Sequence, residues 1–179
     1  MSTSRPTKIL VVGSVAALAF VGATGASAAD EVTATVTQGA RTASFLNAAL
    51  PAVSSSHSDQ NSAIPMTLTV DDSSGTGAGW SVTAKVSDFL YDGDYNGTDI
   101  PASNFSIVPG TVSAPDGAVA VPGASGSLDQ PVTVLTASKS VNGAFSQVVQ
   151  GTLSVPADSF AGTYKATLTT TISAAPSGS

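Results

Sequence analysis

Alternation of apolar with polar residues is the feature that most constrains the fold of this 179-residue chain. Its clearest run places apolar residues at every second position between serine, threonine and lysine: Trp80, Val82, Ala84 and Val86. Successive side chains of a strand point to opposite faces, so such a run forms a strand with one buried and one solvated face. A helix would instead require apolar residues three and four positions apart.

The same alternation recurs along the chain, between clusters of Gly, Pro, Asn and Asp. We predict further strands at residues 32–36, 43–50, 66–70, 103–108, 132–138, 144–155 and 162–173. Asn142-Gly143 lies between two of them and is typical of a two-residue hairpin turn. With abundant Thr, Ser, Val, Ala and Gly and no helical segment, the sequence predicts an all-β, two-sheet antiparallel β-sandwich, immunoglobulin-like or jelly-roll-like.

Residues 1–29 predict a secretory signal peptide. Arg5 and Lys8 precede an apolar run at residues 9–21, and small residues follow, with cleavage expected after Ala28 or Ala29. The run is shorter than the roughly 18 residues typical of a membrane span. We therefore expect an exported protein with no membrane span after cleavage, no sorting motif or lipid anchor, and one domain at residues 30–176.

Charge and cysteine content exclude several classes of partner and fold. Removal of the leader leaves four basic residues against twelve acidic ones, and hence a net charge of −8. Binding of nucleic acid or of an anionic membrane requires clustered Lys and Arg, which this chain lacks. Because the chain has no cysteine, disulfides cannot support the fold, which must depend on its apolar core.

The last predicted strand places Tyr164, Ala166, Leu168, Thr170 and Ile172 on one face and polar residues on the other. Thr170 is unusual in this row. It occupies a position between two large aliphatic residues where an apolar side chain is expected.

These residues resemble two motifs of the WxL cell-wall-binding domains of Gram-positive bacteria, an internal Trp-x-Leu and a terminal YxxxLTWxLxxxP. The first corresponds to Trp80-Ser81-Val82, with valine for leucine, and the second has threonine for tryptophan and isoleucine for leucine. The predicted wall-binding residues are Trp80, Val82, Tyr164, Leu168, Thr169, Thr170, Ile172 and Pro176. The resemblance covers most of residues 40–176. It implies a secreted, non-catalytic domain that binds peptidoglycan or another wall glycan non-covalently, together with companion surface proteins.

The aromatic motif residues have two interpretations. Trp80 is expected in the core, and the alternative places its ring at a sheet edge where it would stack on a sugar. Tyr164 is expected in the core with its hydroxyl bonded to a nearby loop, as in a tyrosine corner. Thr170 either is compensated by a neighbouring side chain or marks a domain that has lost wall affinity.

An acidic loop offers the main candidate metal site. Asp92, Asp94, Asn96 and Asp99 supply alternating oxygen ligands, as in the first half of a calcium loop. Counted from Asp92, the twelfth position of such a loop is Ser103 instead of the usual ligand glutamate. We therefore expect an ordinary hairpin turn with solvated acids, and a calcium site is the alternative. Asp71 and Asp72 are expected to end a strand before a turn. No other cofactor is expected.

Catalysis is not predicted. His57 is the only histidine and lies in a polar loop, without a motif for a nucleophile or an oxyanion hole. Glycoside hydrolysis needs two spaced carboxylates, and the sequence indicates no such pair. The alternative to wall binding is a structural subunit that self-associates through exposed strand edges, since the strands are rich in threonine and contain few lysines.

Overall fold

The computed structural model describes residues 33–46 and 48–174. The chain divides into a unit of residues 1–35 and a unit of residues 36–179, and every strand of the described residues belongs to the second unit. The predicted signal peptide and Pro176 lie outside the described residues. The strands are β1 (Arg41–Leu46), β2 (Gln60–Asp72), β3 (Ala78–Val86), β4 (Leu90–Asp92), β5 (Phe105–Ser113), β6 (Val119–Pro122), β7 (Gly126–Ser127), β8 (Val132–Lys139), β9 (Gly143–Val155), β10 (Thr163–Lys165) and β11 (Leu168–Ala174).

The strands form three antiparallel sheets. A five-stranded sheet has the order β1-β2-β9-β5-β7, and a four-stranded sheet has the order β11-β3-β8-β6. A two-stranded ribbon joins β10 to β4, and one short 3-10 turn spans Ala102–Asn104. The predicted all-β, antiparallel fold is confirmed.

One apolar cluster fills the space between the two large sheets. The five-stranded sheet contributes Met66, Leu68, Val70, Phe105, Ile107, Phe145, Val149 and Leu153. The four-stranded sheet contributes Trp80, Val82, Ala84, Val86, Val134, Leu135 and Ala137. Since inner-face side chains of both sheets belong to the same cluster, the arrangement is a β-sandwich, and β1 and β11 lie beside each other at one side of it.

Two local predictions were wrong. The described part of the predicted strand at residues 32–36 is irregular, and Val36 is 94% exposed, because no neighbouring strand pairs with it. Asn142-Gly143 does not close a hairpin, since β8 and β9 belong to different sheets. Instead, the Asn142 side-chain oxygen accepts a hydrogen bond from Gly75 N at 2.8 Å, and Gly143 has a φ of 144°.

The predicted strand at residues 162–173 is two strands. β10 pairs with β4 in the ribbon, whereas β11 pairs with β3 in the four-stranded sheet. At the break, Thr167 N donates to the Ser87 hydroxyl at 2.9 Å and Ser87 N donates to Thr167 O at 3.0 Å. These two bonds satisfy the backbone where the chain changes sheets.

Candidate functional site

The two motifs are brought together on neighbouring strands. The first lies on β3 and most of the second on β11, and these strands pair directly. Ile172 lies opposite Val82 and Thr170 opposite Ala84. Motif residues that are about ninety positions apart in sequence therefore share one sheet.

Trp80 belongs to the core. Its side chain is fully buried, and its ring packs edge-on against Phe145 of the facing sheet, with 4.9 Å between ring centroids. The indole Nε1 donates to Asp72 Oδ2 at 3.1 Å and to Ser140 Oγ at 3.0 Å. The core interpretation is confirmed, and the alternative of a ring exposed at a sheet edge is wrong.

Asp72 is the centre of a buried polar network that sequence reasoning missed. Its Oδ2 lies 3.0 Å from Arg41 Nε, and its Oδ1 accepts a hydrogen bond from Ser74 N at 2.9 Å. Burial opposes the ionised form, but hydrogen bonds from Ser140 and Ser74 and the nearby guanidinium outweigh it and hold the pKa of Asp72 well below its usual range. Asp72 continues the even-numbered inward row of β2, and this periodicity was the signal that could have placed it inside.

The second motif occupies an edge strand and is less buried. Leu168, Thr170 and Ile172 are half-buried, and Thr169 is exposed. Thr170 thus faces the interior at the margin of the sandwich, opposite the small side chain of Ala84. Its hydroxyl is not sealed in the core, which accounts physically for a polar residue in this row.

Tyr164 lies on β10, in the ribbon. Its hydroxyl donates to Phe160 O at 3.0 Å, and its ring packs against that of Tyr91, with 5.3 Å between centroids. Burial raises the pKa of Tyr164, and the neighbouring Tyr91 adds to the effect. Tyr164 was expected in the core and is half-buried at its margin, whereas the predicted hydrogen bond from its hydroxyl to a nearby loop is confirmed.

The acidic loop is organised around Tyr91. A side chain at Gly93 would place its Cβ 2.5 Å from the Tyr91 hydroxyl oxygen, and one at Gly162 would place it 2.5 Å from the ring. The Tyr91 hydroxyl donates to Ala161 O at 2.9 Å. Gly93 and Gly162 therefore provide room for an aromatic ring.

The four candidate calcium ligands do not converge. Asp92 pairs with Lys165, which lowers the pKa of that carboxyl, and Asp99 Oδ1 accepts a hydrogen bond from Tyr91 N at 2.7 Å. Asp94 and Asn96 are exposed. Within residues 33–46 and 48–174, no three His, Cys, Asp or Glu side chains lie close enough to share a metal ion.

His57 lies in an exposed loop, as predicted. Its side chain is 98% exposed, and Nδ1 lies 2.5 Å from Asp158 Oδ1. Across the described residues, the imidazole has no hydrogen bond to a serine hydroxyl. This pair connects two loops at the surface and lacks the nucleophile of a catalytic triad.

A cleft of about 610 Å³ lies between residues 48–56 and residues 159–166. Polar side chains along it are bonded within the protein: Ser62 Oγ donates to Pro51 O at 2.5 Å, and Ser55 Oγ donates to Ser159 O at 3.1 Å. The cleft is consequently poor in free hydrogen-bonding side chains.

The outer face of the four-stranded sheet, here the four-strand face, is covered with hydroxyl groups. Three cross-strand pairs join β3 to β11, and two threonines of β8 extend the rows: Lys85–Thr169, Thr83–Thr171, Ser81–Ser173, Thr133 and Thr136. All are exposed or half-buried. The four strands contain two lysines, Lys85 and Lys139, and no Asp or Glu.

Comparison with known families gives one finding. A family model described as the WxL domain, surface cell wall-binding, matches residues 10–176. Neither the comparison with curated proteins nor that with solved structures gave a match. In the described part of the chain, no helix has the length and apolar character needed to cross a membrane.

Proposed function

The chain belongs to the family of WxL domains, which bind the cell wall at the surface, and we propose that it attaches non-covalently to peptidoglycan through its four-strand face. The protein is a cell-wall-binding surface protein.

The observation that carries the proposal is the chemistry of the four-strand face on the two motif strands. Rows of hydroxyls such as Thr83–Thr171 and Ser81–Ser173 can each donate and accept hydrogen bonds. A glycan presents the same two capacities along its length. A two-strand row of hydroxyls therefore suits repeated contacts with an extended polysaccharide.

Charge supports the same surface. The predicted mature chain has a net charge of −8, yet the four strands of this sheet contain lysines alone among charged residues. Lys85 stands within the hydroxyl rows, opposite Thr169. Bacterial wall polymers present carboxylates, so contact through this face avoids the repulsion that the acidic loops would produce.

The motif residues contribute through the fold. Trp80 and Val82 are buried and fix the position of β3, and Ile172 packs beside Val82 and fixes β11. The proposed wall contacts are made by the outward neighbours of these residues, such as Thr169, because Trp80 and Val82 do not reach the solvent.

Binding without catalysis is part of the proposal. Two observations support it: His57 has an exposed carboxylate as its partner, and the acidic loop carboxylates Asp92 and Asp99 are bonded to protein groups. Neither arrangement positions a group against a bound substrate.

The test is retention of the purified protein on isolated cell walls. We expect Lys85→Glu to lower retention about fivefold, the upper range for a lost exposed charge contact. Lys165→Glu is the matched control, since Lys165 is 68% exposed but lies on the ribbon, and it should change retention little. Soluble peptidoglycan fragments should compete with the wild type. Equal loss in both variants, or retention that disappears when other polymers are stripped from the walls, would contradict the proposal.

A further inference from the structure

The outer face of the five-stranded sheet, here the five-strand face, has almost no charge. Its outward positions on β1, β2, β9 and β5 are mainly serine, threonine and small or apolar residues: Thr42, Ser44, Leu46, Asn61, Ala63, Pro65, Thr67, Thr69, Asp71, Ala144, Ser146, Val148, Gln150, Thr152, Ser154, Ser106 and Val108. Asp71, near one end, is the only charged residue among them.

An apolar patch occupies the middle of this face. Leu46 and Val148 are each 52% exposed and lie in one cross-strand row, since both pair with Thr67. Val108, which is 55% exposed, and Pro65 lie in the adjacent row, since both pair with Gln150. Four exposed apolar side chains from four strands therefore lie in two adjacent rows, where they alternate with Thr67 and Gln150.

We propose that the five-strand face binds a second copy of this chain, so that two sandwiches stack back to back about a two-fold axis. Charge favours this occupant. Two copies of a strongly acidic protein repel each other over most of their surfaces, and this face has the fewest charges to oppose contact. A two-fold contact also places the same apolar patch on both sides, as an isologous interface requires.

The face is large enough for a stable dimer. β2 and β9 each have 13 residues, and at about 3.3 Å per residue they extend about 43 Å. Four strands at about 4.8 Å spacing give a width of about 19 Å. Because β1 has only 6 residues and β5 has 9, the face covers about 650 Å² per partner, within the roughly 600 to 1,000 Å² per partner of specific protein interfaces.

Strand edges are less suitable for self-association. β11 lies beside β1 at one side of the sandwich, and at the other side β7 has only two residues and β6 has four. Addition of a strand needs a longer run of unpaired backbone. The expected mode of association through edges is therefore replaced by association through a face.

Back-to-back stacking has a functional consequence, which rests on the proposed function. The two four-strand faces of the dimer point outward in opposite directions. Each dimer then contacts the wall at two sites, and a second contact within one assembly increases retention through effective concentration.

Val148→Glu tests the dimer in the absence of cell wall. We expect sedimentation of the wild type to change from monomer to dimer with concentration, and Val148→Glu to raise the dissociation constant at least tenfold. Leu90→Glu is the matched control, because Leu90 is 58% exposed and lies on the ribbon, and it should dimerise as the wild type does. A wild type that stays monomeric at all concentrations would overturn the proposal, as would equal effects of the two variants.

The absence of cysteine permits a second test that does not depend on tolerance of a buried charge. Val148→Cys should form a disulfide-linked dimer on mild oxidation, and Leu90→Cys should do so much more slowly. Equal cross-linking rates would contradict a face-specific contact.

Wall retention separates this proposal from the proposed function. Val148→Glu should lower retention about tenfold and leave the residual binding sensitive to Lys85→Glu, whereas Lys85→Glu should leave dimerisation unchanged. Normal dimerisation without wall binding contradicts only the proposed function, and normal wall binding by a monomeric wild type contradicts only the dimer.

Discussion

Strands β3 and β11 carry the two motifs side by side, yet they hold their residues in different environments. On β3, Trp80 and Val82 are fully buried beneath the facing sheet. On β11, an edge strand, Thr170 and Ile172 are only half-buried. A motif position on the inner strand is therefore constrained by packing and hydrogen bonding, whereas one on the edge strand tolerates a polar residue.

The buried network explains the difference further. The indole of Trp80 donates to Asp72, a residue of the facing sheet, so its loss affects both packing and the environment of a buried carboxylate. Thr170 has no equivalent connection across the sandwich among the described hydrogen bonds. The presence of threonine at position 170, where the family motif has tryptophan, therefore leaves the rest of the core intact.

The largest expected effect comes from Trp80→Ala. Truncation of a fully buried tryptophan leaves a cavity and removes a donor from Asp72, and we expect the free energy of unfolding to fall by about 3 to 5 kcal/mol. Ile172→Ala, on the edge strand, should cost about 1 to 2 kcal/mol. Denaturant unfolding followed by far-UV circular dichroism measures both free energies. Tryptophan fluorescence is unsuitable because Trp80→Ala removes the only tryptophan of the chain.

Equal losses in these two variants would remove the distinction between the strands. A larger loss for Ile172→Ala would show that β11 supports more of the core than its exposure indicates.

Asp72→Asn tests the network itself. The variant leaves Arg41 without its buried counter-charge, and we expect a loss of about 3 kcal/mol at pH 7. The wild-type carboxyl has a pKa below that of the unfolded chain, so its contribution is fully present above about pH 4 and is lost as the pH falls below that value. The variant should therefore show a weaker loss of stability between pH 4 and pH 2.

The measurement is a series of unfolding curves at fixed ionic strength. Asp71→Asn is the control, because Asp71 is exposed on the same strand, and it should leave both stability and its pH dependence nearly unchanged. Identical pH profiles for Asp72→Asn and the wild type would show that the network does not govern acid stability.

Sequence periodicity predicted the strands whose inner residues are uniformly apolar, and it placed Met66, Leu68 and Trp80 in the core as observed. It did not predict that β8 and β9 belong to different sheets, because alternation defines faces and contains no information about neighbours. The hairpin predicted at Asn142-Gly143 was wrong for this reason.

Chemical patterns were less informative than periodicity at the candidate sites. The calcium-like spacing of Asp92 and Asp94 matched a ligand motif, but Gly93 accommodates the Tyr91 ring, a contact that depends on tertiary structure. In contrast, Asp72 was predicted only as the end of a strand, although its position two residues after Val70 places it on the inner face. A carboxylate in an inward row is expected to have a buried partner, and Arg41 is that partner.

The smallest expected effect on stability, and the sharpest on function, comes from Thr170→Trp. The position is half-buried at the sheet edge opposite the small side chain of Ala84, so a tryptophan can fit with a change in stability of at most about 1 kcal/mol. Part of its ring would remain exposed beside the four-strand face, and we expect wall retention to rise about fivefold, within the range for an aromatic contact. Thr98→Trp in the exposed acidic loop controls for non-specific adhesion.

Two results for Thr170→Trp would contradict these expectations. A loss of several kcal/mol in the free energy of unfolding would show that β11 is as tightly packed as β3. Unchanged retention would show that the aromatic residue of the second motif makes no contact with the wall.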